Sequence, residues 1–315
     1  MILLREQNMN CKEQKTCSGE IFEVERFAIH DGPGIRTVVF FRGCPLHCLW
    51  CANPESQRCS PQIMYWKSRC IGCMTCVKEC PKQALVPGND GIFRNDCCVY
   101  CGHCVDNCTA EAQTWIGSNV TAESIFREVV RDKSFYANTG GGVTFSGGEA
   151  LLQSELLIET ARLCRNAGIH TAIETSGYAA METIQKVIPW VDLFLFDFKC
   201  MDPQRHIALT GVDNTGILQN FQYLLQEHCQ ITVRYPLIGG YNDDADNVAQ
   251  MIAYLREQCP GCRVDILPYH TLGVSKYKRL QMEYPAVKAY KPSEEDIRKI
   301  RQAFETAGFR VNVGG

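Results

Sequence analysis

Three cysteines fall within eight residues in Cys44-Pro45-Leu46-His47-Cys48-Leu49-Trp50-Cys51, separated by three and then two residues. Iron–sulfur clusters are built on Cys thiolates, so a loop that gathers three of them can hold three irons of a four-iron, four-sulfur cube. The fourth iron is then left without a protein ligand. An open position on a bound metal is where substrate is taken up and chemistry is done. A zinc knuckle, or three incidental buried cysteines, is the competing reading of the same spacing.

Two further runs carry the same ligand type, Cys70-x2-Cys73-x2-Cys76-x3-Cys80-Pro81 and Cys98-x2-Cys101-x2-Cys104-x3-Cys108. In tandem they match the bacterial ferredoxin pattern, in which the fourth Cys of each run ligates the other cluster. That rule groups Cys70, Cys73, Cys76 and Cys108 around one cube, and Cys98, Cys101, Cys104 and Cys80 around a second. Zinc is again the alternative. Thr109 replaces the usual Pro after the last ligand, and Cys97 adjoins Cys98, so spacing alone selects between those two. Eleven of the chain's 20 cysteines lie in the three motifs, which points to iron in a reducing compartment rather than to disulfides. Met1-Ile2-Leu3-Leu4 is followed at once by charge and lacks the apolar core of a signal peptide, and no apolar run approaches the ~18 residues of a membrane span. A cytoplasmic location is expected. The formal net charge of -3, with no run of Lys or Arg, argues against nucleic acid or a membrane as a partner.

At 315 residues and 45% hydrophobic content, the chain can form one large α/β domain with an insertion. Residues 1–20 are polar and irregular and read as a flexible tail, with Cys11 and Cys17 as bystanders. Residues 21–27 alternate like a strand, Gly32-Pro33-Gly34 forces a turn, and the apolar run 38–41 ends at the three-cysteine loop. The loop would therefore sit at the C-terminal end of a first barrel strand, where α/β barrels carry their sites. Thr121 is a plausible cap for a helix over 121–131. Strands at 143–145, 170–173, 193–196, 231–235, 263–267 and 310–313 then alternate with helices at 156–166, 181–187, 217–227, 247–258 and 293–307. Such alternation implies right-handed βαβ units and a parallel sheet. The count is six or seven units rather than eight, so the expected fold is α/β: an open, partial (β/α)6 barrel of TIM type formed by 21–57 and 116–315. The expected insertion is a ferredoxin-like two-cluster domain at 58–115.

The ends of these strands carry unusual residues. Gly147-Gly148-Glu149 follows one strand; adjacent glycines let a backbone approach closely, and a carboxylate can accept hydrogen bonds from an ammonium group. Glu174-Thr175 and Asp197-Phe198-Lys199 end the next two, for which a solvated rim is the bland alternative. Together with the three-cysteine loop and Trp50 before its last Cys, this pattern resembles the radical S-adenosylmethionine (SAM) superfamily, in which the amino and carboxylate groups of SAM chelate the open iron. The segments Asp31-Gly-Pro-Gly-Ile-Arg36, Asp197-x-Lys199, Arg234-x-Pro-Leu-Ile-x-Gly-x-Asn242-Asp243 and Leu267-Pro-Tyr-His270-x-Leu-Gly273-x2-Lys276-Tyr277 are similar to the glycyl radical enzyme activating enzymes. The likeness runs from about residue 21 to the end.

That resemblance implies roles. Cys44, Cys48 and Cys51 would hold the catalytic cluster beside Trp50, and Asp31 would lie close to the glycine loop being activated. Gly147, Gly148 and Glu149 would bind the SAM amino group, and Ala150 stands where Pro is common in that motif. Asp197 and Lys199 would meet the methionine end, Arg234 the carboxylate or the partner's backbone, and His270 the adenosine. Glu174, Thr175 and Asp197 would be side-chain ligands of a monovalent cation. The implied activity is that of an oxidoreductase of anaerobic metabolism: reductive cleavage of SAM to a 5'-deoxyadenosyl radical that takes a hydrogen from one glycine of a partner enzyme. Three 4Fe-4S clusters, a flavodoxin or ferredoxin donor and a monomeric chain complete the expectation, with a partner acting on small organic substrates such as choline, glycerol or 4-hydroxyphenylacetate. Two alternatives stand beside it: a radical SAM enzyme acting on a small molecule or RNA, and a non-catalytic iron–sulfur electron carrier. The second leaves the glycine pair and Asp197-Phe198-Lys199 unexplained.

Overall fold

The computed structural model describes residues 17–314. Its strands are β1 (Ser18–Ala28), β2 (Arg36–Phe41), β3 (Ile63–Tyr65), β4 (Leu85–Gly88), β5 (Gly91–Arg94), β6 (Gln113–Trp115), β7 (Ser118–Thr121), β8 (Gly142–Gly147), β9 (His170–Thr175), β10 (Leu193–Asp197), β11 (Ile231–Leu237), β12 (Arg263–Pro268) and β13 (Arg310–Val313). Nine of them form one sheet in the order β13-β12-β11-β10-β9-β8-β2-β1-β7. From β2 through β13 every neighbouring pair is parallel, whereas β1 runs antiparallel to both β2 and β7. Because β7 and β13 are edges, the sheet is open, as expected. It holds seven parallel strands, the upper of the two counts expected, with β13 the last of them beside β12.

Side chains on a strand alternate between faces, and here the alternation separates core from site. Phe41, Val143, Phe145, Ile173, Phe194, Phe196, Val233, Tyr235, Val264 and Ile266 form one buried apolar cluster with the covering helices. The intervening residues include Arg36, Thr144, Ser146, Glu174, Asp197 and Arg234, so the other face of the sheet is polar at its centre. The helix Ala122–Val130 illustrates how the cover is built. Thr121 Oγ1 accepts from Ser124 N at 3.2 Å while Ser124 Oγ accepts from Thr121 N at 3.0 Å, and Ala122, Ile125 and Val129 turn inward.

Two expectations change at the N-terminus. β1 begins at Ser18, inside the stretch expected to be tail, because β7 supplies a partner for it with Ser18 opposite Thr121 and Glu20 opposite Asn119. Cys17 is half-buried against the main core, and Cys11 lies outside the described residues. Within the region expected as the insertion, β3 pairs with β6 near its two ends and β4 pairs with β5 as a hairpin. Among the described residues no helix is long and apolar enough to cross a membrane.

Candidate functional site

The three-cysteine loop leaves the end of β2 and is tied down on both sides. Toward β8, Gly148 N donates to Phe41 O at 2.9 Å and Glu149 N to Gly43 O at 2.8 Å. Toward the helix Pro203–Thr210, His47 N donates to Thr210 O at 2.7 Å and Leu49 N to Leu209 O at 3.0 Å. Cys44, Cys48 and Cys51 are half-buried and unpaired. Burial pushes all three thiols above their ordinary pKa, Cys51 to about 12. Cys48 adds to this at both Cys44 and Cys51, and Lys199 opposes it at Cys48. Each thiol therefore lies in low-dielectric surroundings that favour its neutral form, and Cys48 acts electrostatically on both of the others. Among the described residues no three such side chains gather tightly enough to hold a single metal ion, whereas a donor set of thiols alone fits the chemistry of an iron–sulfur cube, whose irons each take one thiolate.

Next to it lies a cluster of charges built from the C-terminal ends of four successive strands. Ser146 Oγ donates to Glu174 Oε2, and Arg234 Nη1 donates to Glu174 Oε1 at 2.6 Å. Asp197 stands opposite Arg234 in the strand register, and Lys199 Nζ donates to Asp197 Oδ2 at 2.7 Å. Burial works against the charge on Lys199, but Asp197, then Cys48 and Cys44, outweigh it and its pKa is raised. At the far side Asp31 is pushed up to about 6, by burial first and Glu174 second, with Arg234 opposing. Within this otherwise paired cluster two buried atoms have no partner, Asp197 Oδ1 and Arg234 Nε.

Asp31 is held in place by Arg36, which closes its own motif, and by Thr144 of β8. Arg36 is fully buried without a carboxylate; its Nε donates to Thr144 Oγ1 at 2.6 Å, Nη2 to Val143 O at 2.6 Å and Nη1 to Pro33 O at 3.1 Å. Thr144 Oγ1 in turn donates to Asp31 O at 2.6 Å. Burial lowers the Arg36 pKa to about 10, and its three hydrogen bonds tie the turn at Pro33 to Val143 and Thr144 of β8.

Several expected ligand contacts are otherwise engaged. A Cβ on Gly147, whose φ is +117°, would lie 2.3 Å from both Phe41 N and Phe41 O, and one on Gly148 would lie 2.2 Å from Gly43 O. The close approach that these glycines allow is therefore to the backbone of β2 and the cysteine loop. Glu149 is buried and accepts four hydrogen bonds: Thr175 Oγ1 at 2.7 Å and Leu151 N at 3.3 Å on Oε1, Ser176 N at 2.9 Å and Ser176 Oγ at 2.7 Å on Oε2. A carboxylate offers about four such positions, so Glu149 has none left for an ammonium and instead ties β8 to the end of β9. Thr175, next to Glu174 on a strand, faces the opposite way with its hydroxyl on Glu149, and only Glu174 and Asp197 of the expected cation ligands converge. Trp50 is buried among Leu209, Ile238 and Tyr269, with its ring 6.0 Å from that of Tyr241. His270, just past β12, is exposed at the rim of an open cavity of about 670 Å³ shared with Tyr290 and Lys291.

The helix Leu272–Leu280 bridges the loop and the Cys-rich segment. A Cβ on Gly273 would stand 3.0 Å from Cys51 O, and Lys276 Nζ donates to Asn53 Oδ1 at 2.7 Å and reaches Glu55 Oε1 at 2.6 Å. One turn from Gly273, Tyr277 is buried with its hydroxyl unpartnered. Past the other end of the helix, Gln281 Oε1 accepts from Arg94 N at 2.7 Å and Gln281 Nε2 donates to Ile92 O at 2.6 Å. In that segment one small cavity is lined by Cys70, Cys73, Cys76 and Cys108, and another by Cys80, Cys98, Cys101 and Cys104. Cys97 is exposed and lines neither. The two halves repeat each other locally: Cys80 Sγ accepts from Ala84 N at 3.3 Å and Cys108 Sγ from Ala112 N at 3.2 Å.

Residues 63–86 match the 4Fe-4S binding domain and residues 92–252 the radical SAM superfamily, a match that begins downstream of the three-cysteine loop. The trans-4-hydroxy-L-proline dehydratase activating enzyme of Clostridioides difficile is 39% identical over 303 residues, 94% of this chain and 99% of its own. The choline trimethylamine-lyase activating enzyme of Oleidesulfovibrio alaskensis is 38% identical over 302 residues, 93% and 97% respectively. In fold alone, the crystal structure of Streptococcus suis SuiB bound to precursor peptide SuiA aligns with 90% of this chain and 49% of its own, at a TM-score of 0.54 and 13% identity.

Proposed function

The chain belongs to the radical SAM superfamily and, within it, to the activating enzymes of glycyl radical enzymes, and on that premise we propose that Cys44, Cys48 and Cys51 hold the cluster with which it installs a radical in a partner enzyme. When bound, the cluster and SAM supply a 5'-deoxyadenosyl radical, made by one-electron cleavage of the sulfonium, that removes a hydrogen atom from a glycine Cα of the partner. The rest of the work falls to residues of the chain. Lys199, paired with Asp197 and near enough to Cys48 and Cys44 to interact with them, would offset the negative charge that ligation creates there. Asp197 Oδ1 would accept from the ammonium of SAM, and Arg234 Nε would donate to its carboxylate. His270, at the rim of the cavity past β12, would meet the adenosine. Glu174 and Asp197 would serve a monovalent cation, with Thr175 contributing only through its main chain. Asp31, held by Arg36 and Thr144, would face the incoming glycine loop.

Two more 4Fe-4S clusters would complete a set of three, one on Cys70, Cys73, Cys76 and Cys108 and one on Cys98, Cys101, Cys104 and Cys80. They would pass electrons inward from a flavodoxin or ferredoxin, in the reducing cytoplasm and within a single chain. The observation that carries this reading is the pair of orphaned atoms, Asp197 Oδ1 and Arg234 Nε, in an otherwise satisfied charge cluster beside three thiols. One unmet acceptor and one unmet donor match the two ends of an amino acid. The test is anaerobic reconstitution, then incubation with SAM, dithionite and candidate glycyl radical enzymes whose glycine carries deuterium. A glycyl radical in the paramagnetic resonance spectrum and deuterium in 5'-deoxyadenosine are expected. SAM cleavage without label transfer to any such partner would point instead to a small-molecule or RNA substrate, and no cleavage at all to an electron carrier.

A further inference from the structure

Nine cysteines lie outside the three cluster motifs, and two of them touch. Cys259-Pro260-Gly261-Cys262 joins the helix Ala245–Gln258 to β12. Pro presets the second position of a type II turn, and the third position requires a positive φ, which Gly261 has at +73°. The turn is closed by Cys262 N donating to Cys259 O at 3.1 Å. Any such turn holds the Cα atoms of its first and fourth residues within about 7 Å, the range a disulfide spans. The side chains are already in line: Cys259 Sγ donates to Cys262 Sγ at 2.9 Å.

The two thiols are not equivalent. Cys259 is buried and caps a helix C-terminus, whose partial negative charge disfavours a thiolate. Cys262 is half-buried, and the hydrogen bond from Cys259, with Arg310 adding, holds it below the ordinary thiol range. Cys262, the less buried residue and the one away from the helix end, is therefore placed to attack, and Cys259 to resolve. The pair sits at the N-terminal end of β12, at the opposite end of the strand from the side that carries the cysteine loop and the charge cluster.

We propose that Cys259 and Cys262 are a redox-active dithiol that exchanges with small-molecule disulfides, separate from the iron chemistry. Cys262 Sγ attacks one sulfur of the disulfide and releases the other as a thiolate. Cys259 Sγ, giving up its proton, then attacks Cys262 Sγ and releases the second thiolate. Two protein thiols are oxidised to one disulfide, one small disulfide is reduced to two thiols, and the two protein protons leave with them. A four-residue loop removes little chain entropy when it closes, so the bond is not needed to hold the fold and stays exchangeable.

The holoprotein, purified anaerobically, is equilibrated with glutathione buffers of graded oxidised-to-reduced ratio, quenched with an alkylating reagent and mapped by peptide mass spectrometry, with iron content followed in parallel. The peptide spanning 259–262 should pass from doubly alkylated to an unalkylated form two hydrogens lighter, along one two-electron curve. In Cys259→Ser, Cys262 should carry glutathione; in Cys262→Ser, Cys259 should stay free, and both variants should keep full iron and SAM cleavage. The exposed Cys59 and Cys97 report that glutathione has reached the protein. If these become modified while the 259–262 peptide stays doubly alkylated at every ratio, the proposal is overturned.

Discussion

Replacing Gly148 by Ala asks whether the glycine pair serves the cysteine loop rather than a ligand. The added Cβ would fall 2.2 Å from Gly43 O, 2.7 Å from Gly43 C and 3.0 Å from Ser56 Oγ, where ordinary contact begins at 3.4 Å. The Gly43 carbonyl must then retreat by roughly 1.2 Å, the shortfall from that contact distance. Gly43 O is also the acceptor for Glu149 N, and Gly43 N donates to Ser56 O at 2.8 Å, so the move strains the residue immediately before Cys44. Overpacking of this kind costs about 1–3 kcal/mol, and one strained hydrogen bond adds about 1 kcal/mol. A penalty of about 2–4 kcal/mol on the loop conformation lowers cluster loading roughly 30- to 700-fold. Iron and sulfide analysis after anaerobic reconstitution should fall from about twelve irons per chain to about eight, because the two cubes of the Cys-rich segment are untouched. The signal that shifts on addition of SAM should vanish. Gly216→Ala is the control, in a helix and with nothing within 4 Å of its Cβ. A Gly148→Ala protein with full iron and an unchanged response to SAM would refute the reasoning.

Cys48→Ala should abolish SAM cleavage, whereas Cys73→Ala should leave the SAM-responsive cluster assembled; loss of all iron in the second variant would show that the two modules are not separable. Asp31 has a folded pKa near 6 against about 3.9 unfolded. The native state therefore binds the extra proton between those values, and the stability this contributes is present below about pH 4 and lost as pH rises through 6. Asp31→Asn should accordingly raise the thermal midpoint more at pH 8 than at pH 5, and an equal shift at both would reject the assignment. Tyr277→Phe removes a buried, unpartnered hydroxyl whose pKa is raised first by burial and next by Cys51 and Cys48. A donor near cluster sulfur favours the reduced, more negative state. A potentiometric titration should thus find the SAM-responsive cluster at a more negative potential in this variant, with the other two clusters unmoved.

What the sequence makes legible here is whatever is written locally. Ligand spacing is local, so the cysteines of each motif could be grouped before any fold was known, and the crossed grouping follows from the tandem repeat. Strand and helix alternation is local too, because one face of each strand packs under helices. The roles that escaped depend on who arrives from elsewhere. Nothing around Gly147-Gly148 says that the approaching backbone is that of Phe41 and Gly43, about a hundred residues earlier. Glu149 offers a carboxylate, but its occupancy is decided by Thr175 and Ser176 on the next strand. β7 is four residues without apolar alternation, and it exists because β1 has an open edge. Adjacent residues on a strand face opposite ways, and accordingly the Thr175 hydroxyl lies on Glu149 while Glu174 turns to Ser146 and Arg234. Residues chosen for their chemistry announce themselves by type and spacing. Arg36 and Ser146, chosen for what they touch, take on a role only once the sheet has brought Thr144, Val143 and Glu174 to them.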